Sequence, residues 1–151
     1  MANTQSMCTS FMGELMTATH NFGTAPTRAT SAADTFKAAL YLATATIDAS
    51  TTAYTATGEV SGTGYSAGGV TVTNATAPAT SGTTAYWTPS ASITFSSVTL
   101  STAFDCVLIY NSTQSNKAVS VHTFGSQTVT AGTFTLTMPT NDSSTGLIRL
   151  A

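Results

Sequence analysis

The chain has 151 residues, a length typical of a single domain. Only 7% of the residues are charged, against about 25% in an average soluble protein, and the net charge is −2. The four cations are scattered, which argues against direct nucleic-acid binding and against a polybasic membrane-surface helix. No apolar stretch approaches the roughly 20 residues of a membrane span, and residues 1–9 lack the basic start of a secretory signal.

The N-terminal residues 3–22 predict one amphipathic helix. Five apolar side chains recur at helical spacing on one face, namely Cys8, Phe11, Met12, Leu15 and Met16. The opposite face is weakly polar and contains Gly13, which lowers the intrinsic helix propensity. We therefore expect this helix to depend on packing against the rest of the chain or against a partner. The sequence divides accordingly into a helix over 1–22, a turn-rich linker over 23–34 and a β domain over 35–151.

The hydrophobic period changes to two at Thr35, which predicts a half-buried strand over 35–43. The glycine-rich stretch 59–69 superficially resembles a phosphate-binding loop. It lacks the lysine of such loops, and the strand and helix that should flank it are not evident. We interpret it as a turn-forming loop that leads into a strand over 70–74.

The segment that follows, 75–85, predicts a flexible loop, which Tyr86, Trp87 and Pro89 anchor to the body of the protein. These aromatic residues have two possible roles. We favour packing in the core and at the ends of loops. The alternative is a sugar-binding platform that would combine Tyr54, Tyr65, Tyr86 and Trp87.

The second half of the chain carries the stronger strand signal. Alternating apolar residues begin at Ile93, with a bulge at Ser96–Ser97, and the apolar run Ala103–Tyr110 predicts a central strand covered on both faces. Ala131–Gly132 is interpreted as a hairpin turn. The other predicted elements are a turn over 111–116, strands over 118–124, 127–131 and 133–138, a loop over 139–145 and a last strand over 147–150. About eight short strands predict an all-β antiparallel sandwich or jelly-roll-like domain with one N-terminal α-helix.

The residues that could carry chemistry are few and dispersed. The sequence lacks the nucleophile elbow of serine hydrolases. His20 is expected near carbonyls at the helix end and His122 in a strand beside a turn at Phe124–Gly125, and both are interpreted as structural. Asp105 interrupts an apolar strand, so it should face water or pair with Lys117. The sequence thus predicts no catalytic, cofactor-binding or metal-binding residue, and the protein is not expected to be an enzyme.

The two cysteines, Cys8 and Cys106, lie far apart in the sequence and are interpreted as small buried hydrophobic residues. A disulfide between them stays open as an alternative, although the absence of an export signal argues against it. They form no CxxC motif and no cluster with histidine, so no zinc site is predicted.

The near absence of charge suggests a surface that is covered by contacts with other subunits. Depletion of charged residues marks the cores of protein interfaces, whereas monomeric soluble proteins usually keep surface charge. This favours a component of an assembly. The candidate partner-binding residues are the apolar side chains of the predicted helix, Phe11, Met12, Leu15 and Met16.

The sequence also resembles small structural proteins of tailed bacteriophages, most of which have no assigned role. The resemblance covers nearly the whole chain and is most specific in the combination of EVSGTGYSAGG (59–69) with FGSQTVTAGTFTLTMP (124–139). The other stretches that carry it are SFMGELMTATHNFGT (10–24), DTFKAALYLATA (34–45), Trp87, STAFDCVLIYN (101–111) and GLIRL (146–150).

The resemblance implies a virion component assembled in the cytoplasm of a bacterial host. Within that class we favour a capsid decoration or cement protein that binds the major capsid protein, as a homo-oligomer for which a trimer is the simplest arrangement. A tail, tail-tip or fibre-associated subunit is the second placement. A carbohydrate-binding or adhesive β-sandwich module is the alternative from another functional class.

Overall fold

The computed structural model describes residues 3–16, 19–20, 22 and 33–151. These residues form eight strands and one helix. In chain order they are β1 Ser6–Met7, α1 Thr9–Met16, β2 Phe36–Leu42, β3 Val70–Thr71, β4 Ala79–Ser81, β5 Thr84–Trp87, β6 Ile93–Asn111, β7 Lys117–Leu136 and β8 Ile148–Leu150.

The strands form two antiparallel sheets. The larger sheet has the order β1-β7-β6-β2-β3, and the smaller one has the order β4-β5-β8. The prediction of an all-β antiparallel sandwich of about eight strands with one N-terminal helix is therefore confirmed.

Strand β6 is the centre of the larger sheet, between β2 and β7. Residues 106–111 of β6 are all buried, as the continuous apolar run predicts for a strand covered on both faces. β2 pairs with this part in continuous register from Phe36 opposite Asn111 to Tyr41 opposite Cys106. The strand predicted over 35–43 from alternating apolar residues is therefore confirmed as β2.

Strands β6 and β7 form a ribbon that is longer than the sequence predicts. The predicted hairpin turn at Ala131–Gly132 is wrong, because β7 runs without interruption from Lys117 to Leu136 and Gly132 pairs with Val98 of β6. Ala131 has a φ of 45°, so the residue pattern Ala131–Gly132 reflects a local irregularity of the strand and not a reversal of the chain direction. The bulge predicted at Ser96–Ser97 is confirmed by a register shift between Phe95 and Val98.

The ribbon bends back over itself. Further register shifts lie between Leu100 and Phe104 and between Phe104 and Cys106, and such irregularities allow a strand to turn a corner. Beyond the corner, the ring of Phe134 packs edge-on against Phe104 at 5.0 Å. Phe134 also lies 5.2 Å from the ring of Phe124. The part of the ribbon beyond the corner therefore packs onto the core that the rest of the ribbon helps to form.

The N-terminal helix is shorter than predicted. α1 contains only eight residues, and the predicted first turns instead contribute β1, which pairs with Ser120 and Val121 of β7. The backbone N–H groups of Cys8 and Thr9 donate to Val119 and Ala49, so pairing with the body competes successfully with a weak helical tendency. The predicted helix residues 17–18 and 21 and the linker residues 23–32 lie outside the described part of the chain.

A short hairpin replaces most of the flexible loop predicted over 75–85. β4 and β5 pair from Ala79 opposite Tyr86 to Ser81 opposite Thr84, so only Gly82 and Thr83 form the turn. Gly82 has a φ of 59°, which glycine adopts without steric cost. The strand predicted over 70–74 is also shorter, since β3 contains only Val70 and Thr71.

Trp87 offers a direct test of the packing between the two sheets. Its side chain is 2% exposed, lies against Phe22 and Phe36, and donates its Nε1–H to the carbonyl of Thr76 at 2.8 Å. We predict that Trp87→Ala lowers the free energy of unfolding by about 3–5 kcal/mol. Urea unfolding is the measurement, and Tyr86→Ala, at a half-buried neighbour, is the control. A loss below about 1 kcal/mol for Trp87→Ala would contradict the packing role.

Candidate functional site

The carboxylates of the protein are satisfied inside the chain. All six accept hydrogen bonds from other residues of the same molecule. Their partners are Lys117 and His20 for Glu14, Asn111 and Gln114 for Asp34, Ser50 for Asp48, Tyr54 and Tyr65 for Glu59, Asn3 for Asp105, and Thr145 for Asp142. Each of the six carboxylates therefore has a hydrogen-bond partner within the chain, although Asp48 and Asp142 accept only from residues two or three positions away in exposed turns.

Lys117 forms a different ion pair from the predicted one. Its ammonium group lies 2.5 Å from the Glu14 carboxylate, so α1 is joined to the start of β7. Asp105 accepts instead from the Nδ2 group of Asn3 at 2.5 Å. The expected Asp105–Lys117 pair across the turn is therefore wrong, and the N-terminal segment, whose position the sequence did not predict, supplies the partner of each group.

His20 joins the same cluster as a neutral imidazole. The Oδ1 atom of Asn111 accepts from the backbone N–H groups of Thr113 and Gln114, which fixes the orientation of that amide. Its Nδ2 group then donates to His20 Nδ1 at 3.0 Å and to Asp34. Because Nδ1 accepts, the ring proton is on Nε2, which faces Glu14 at 2.6 Å.

Electrostatics also favour the neutral form of His20. Burial lowers the pKa of His20, and the neighbouring Glu14 only partly offsets this effect. Burial by itself would raise the pKa of Glu14, but the hydrogen bonds from Lys117 and His20 bring it below its ordinary value. His20 thus lies in a buried cluster and not near carbonyls at the helix end, and its contacts within the chain favour the structural role.

His122 lies within continuous β7, so the expected turn at Phe124–Gly125 is wrong. Its Nε2 atom is 2.9 Å from the hydroxyl of Ser120, which is 3% exposed. Burial lowers the pKa of His122 to about 4. In the described part of the chain no carboxylate hydrogen-bonds to this ring, so the pair lacks the third group of a serine-hydrolase triad.

The glycine-rich loop is built around the carboxylate of Glu59. That group accepts from the hydroxyls of Tyr54 and Tyr65 and from the backbone N–H of Gly68 at 2.6–2.7 Å. Gly69, with a φ of 68°, approaches the backbone of β2 so closely that an added Cβ would lie 1.8 Å from the Ala38 carbonyl oxygen. The loop therefore has a structural role, and its backbone N–H at Gly68 already donates to the carboxylate of Glu59 in the same chain.

The four aromatic residues of the possible sugar platform do not form one exposed surface. Tyr54 stacks on Tyr110 at 4.9 Å, and Tyr65 stacks on Phe95 at 5.9 Å. Burial raises the pKa of Tyr54 to about 12. Trp87 is buried between the two sheets, as described above. These contacts favour the core and loop-anchoring role.

The predicted partner-binding residues of the helix differ in their surroundings. Phe11 is 1% exposed and packs edge-on against His20 and Phe22, so its side chain is occupied within the chain. Leu15 is half-buried and lines an apolar cavity of about 110 Å³. Its other walls include Trp87, Ile148 and Leu150, which the sequence did not suggest as site residues. The side chains of Met12 and Met16 lie outside the described part of the structure.

The cysteines are free and buried, as favoured from the sequence. Burial raises the pKa of the Cys8 thiol to about 11 and that of Cys106 to about 12. Both thiols are therefore protonated at neutral pH and have little nucleophilic character.

No protein-family model matches the chain, and neither a curated protein nor a solved structure shows a significant match. Within the described residues, no three or more His, Cys, Asp or Glu side chains are grouped so that they could hold a metal ion. No helix in the described part of the chain is long and apolar enough to cross a membrane.

The neutral buried histidines predict a specific pH dependence. Both have a lowered pKa in the folded protein, whereas an unfolded histidine titrates near 6.5, so the unfolded chain binds more protons in mild acid. The free energy of unfolding should therefore be flat between about pH 7 and 8 and should fall as the pH decreases from about 6.5 to 5. Urea unfolding across this range measures the effect.

Two variants separate the contributions to this pH dependence. His122→Asn should reduce the slope between about pH 6.5 and 5, and the double variant with His20→Asn should nearly remove it. This range lies above the ordinary titration of carboxylates, so their protonation contributes little. If the double variant keeps the slope of the natural protein, the histidines are not its source.

Proposed function

We propose that the protein is a structural subunit of a bacteriophage virion, and that its place is on the capsid as a decoration or cement protein. The observation that carries this proposal is the distribution of charge on the folded chain. No Asp, Glu, Lys or Arg occurs over 60–104 or over 118–141. These two stretches contain β3, β4, β5 and most of the β6–β7 ribbon.

The exposed side of the ribbon is rich in threonine. The exposed threonines of the two long strands are Thr94, Thr102, Thr128, Thr130, Thr133 and Thr135. Such a surface offers hydroxyl groups and methyl groups but no charge, so it can be dehydrated at a contact without the large cost of burying an ion. This favours extended contacts between subunits.

The small net charge supports the same proposal. The chain carries a net charge of only −2, so little charge is available to keep it soluble. A monomer with this surface would have weak protection against association. Copies of the chain and a capsid subunit are the partners that the proposal requires.

A cement protein acts by mass action. Any protein that binds only the assembled shell stabilises that shell by its free energy of binding. No residue of the chain has to carry out chemistry for this role. The contacts of the aromatic residues give no support to the adhesive alternative. An uncharged, threonine-rich surface would suit a tail or fibre subunit equally well, so an experiment has to distinguish that placement from the capsid.

Particles that lack this protein test the proposal. We predict that they still assemble but release their genome at a lower temperature and at a weaker osmotic shock than complete particles. Adding back the purified protein should restore both properties, and an unrelated β-sandwich protein is the control. If depleted particles resist heat and osmotic shock normally but fail to attach to cells, the tail or fibre placement replaces the capsid placement.

A further inference from the structure

Among the described residues, one edge of the β6–β7 ribbon is covered in part and the other is largely open. Along the outer edge of β6, Thr63 bridges Thr99, and the glycines on either side of it lie against the β6 backbone. Along the outer edge of β7, β1 covers only Ser120 and Val121. None of the described strands lies beside the outer edge of β7 from Gly132 to Leu136.

The open edge leads into the segment Thr133–Met138, of which the part up to Leu136 belongs to β7. Its pairing with β6 is continuous from Phe95 opposite Phe134 to Ile93 opposite Leu136. The irregularity at Ala131 precedes it and Pro139 follows it. Over residues 134–136, the backbone hydrogen-bonding groups that point away from β6 are therefore arranged as in an ordinary sheet edge.

The side chains of this segment alternate strictly. Its threonines at 133, 135 and 137 are exposed, whereas Phe134, Leu136 and Met138 are half-buried. No charged residue lies within 118–141, so the edge lacks the lysines and inward charges by which open edges commonly resist pairing. A six-residue segment of this composition has a strong tendency to add a further strand.

We propose that Thr133–Thr137, the part of this segment centred on Thr135, pairs antiparallel with the same residues of a second copy of the chain, around a two-fold axis at Thr135. In that register Thr135 faces its own copy, and Phe134 faces Leu136 of the other molecule. One face of the joint would carry threonines and the other apolar side chains, so the segment is complementary to itself. Because the segment is uncharged, two copies meet without electrostatic repulsion.

This contact deepens the proposed function, because it names the interface between copies of the assembly subunit. A two-fold contact of this kind gives a dimer, which differs from the trimer favoured by the sequence. Since no ion pair contributes, the association should not weaken when the salt concentration is raised.

Light scattering after size exclusion tests the proposal on the full chain. The natural protein should have about twice the monomer mass of 15.3 kDa at both low and high salt. Thr135→Lys would place two like charges opposite each other at the axis and should reduce the mass to that of a monomer. Thr94→Lys is the matched control, because Thr94 pairs with Thr135 from β6 on the same exposed face, and it should stay dimeric.

A second measurement does not depend on the lysine variants folding. Thr135→Cys should form a disulfide-linked dimer on mild oxidation, whereas Thr94→Cys should not, and the native thiols are buried. A monomeric natural protein, a trimer, an open-ended polymer or equal cross-linking of the two variants would each overturn this contact. A monomer that still rebinds depleted particles would overturn the contact alone, whereas a dimer that never rebinds would overturn the proposed function alone.

Discussion

Pairing between β6 and β7 is the constraint on which the rest of the structure depends. The two strands supply 39 residues, and β6 also holds β2, through which the glycine-rich loop is attached. The ribbon bends at the irregular region around Phe104, which brings Phe134 onto the core. A chain with almost no charge can therefore bury a substantial apolar core with one long hairpin and short strands packed against it.

The sequence predicted the elements whose hydrophobic pattern reflects burial directly. β2 and the buried half of β6 are examples, because alternation and a continuous apolar run each follow from the number of covered faces. The pattern failed at Ala131–Gly132, since a bulge and a hairpin turn use the same residue types. The pattern failed again at Gly82, where a flexible loop was predicted but a two-residue turn forms. The small residues around this turn are equally common in loops, so they do not identify it.

The polar cluster around His20 was less predictable because it depends on contacts between distant parts of the chain. Nothing in the spacing of Glu14, His20 and Lys117 indicates that they form one cluster, since Glu14 and Lys117 are 103 positions apart. The candidate helix shows the same limit. Helical spacing grouped Phe11 with Leu15, but burial of Phe11 within the chain depends on Phe22 and His20, which lie beyond the helix that forms.

The turn at Asn111 has a consequence for the order in which the protein folds. Asn111 closes the β6–β7 hairpin locally through Thr113 and Gln114, and the same amide then binds His20, 91 positions away. Local contacts cost less loop entropy than distant ones, so we expect the hairpin to nucleate folding and the N-terminal segment to dock last. Mutations such as Val119→Ala should then slow folding, whereas changes at Phe11 should mainly accelerate unfolding, and the opposite pattern in stopped-flow kinetics would exclude this order.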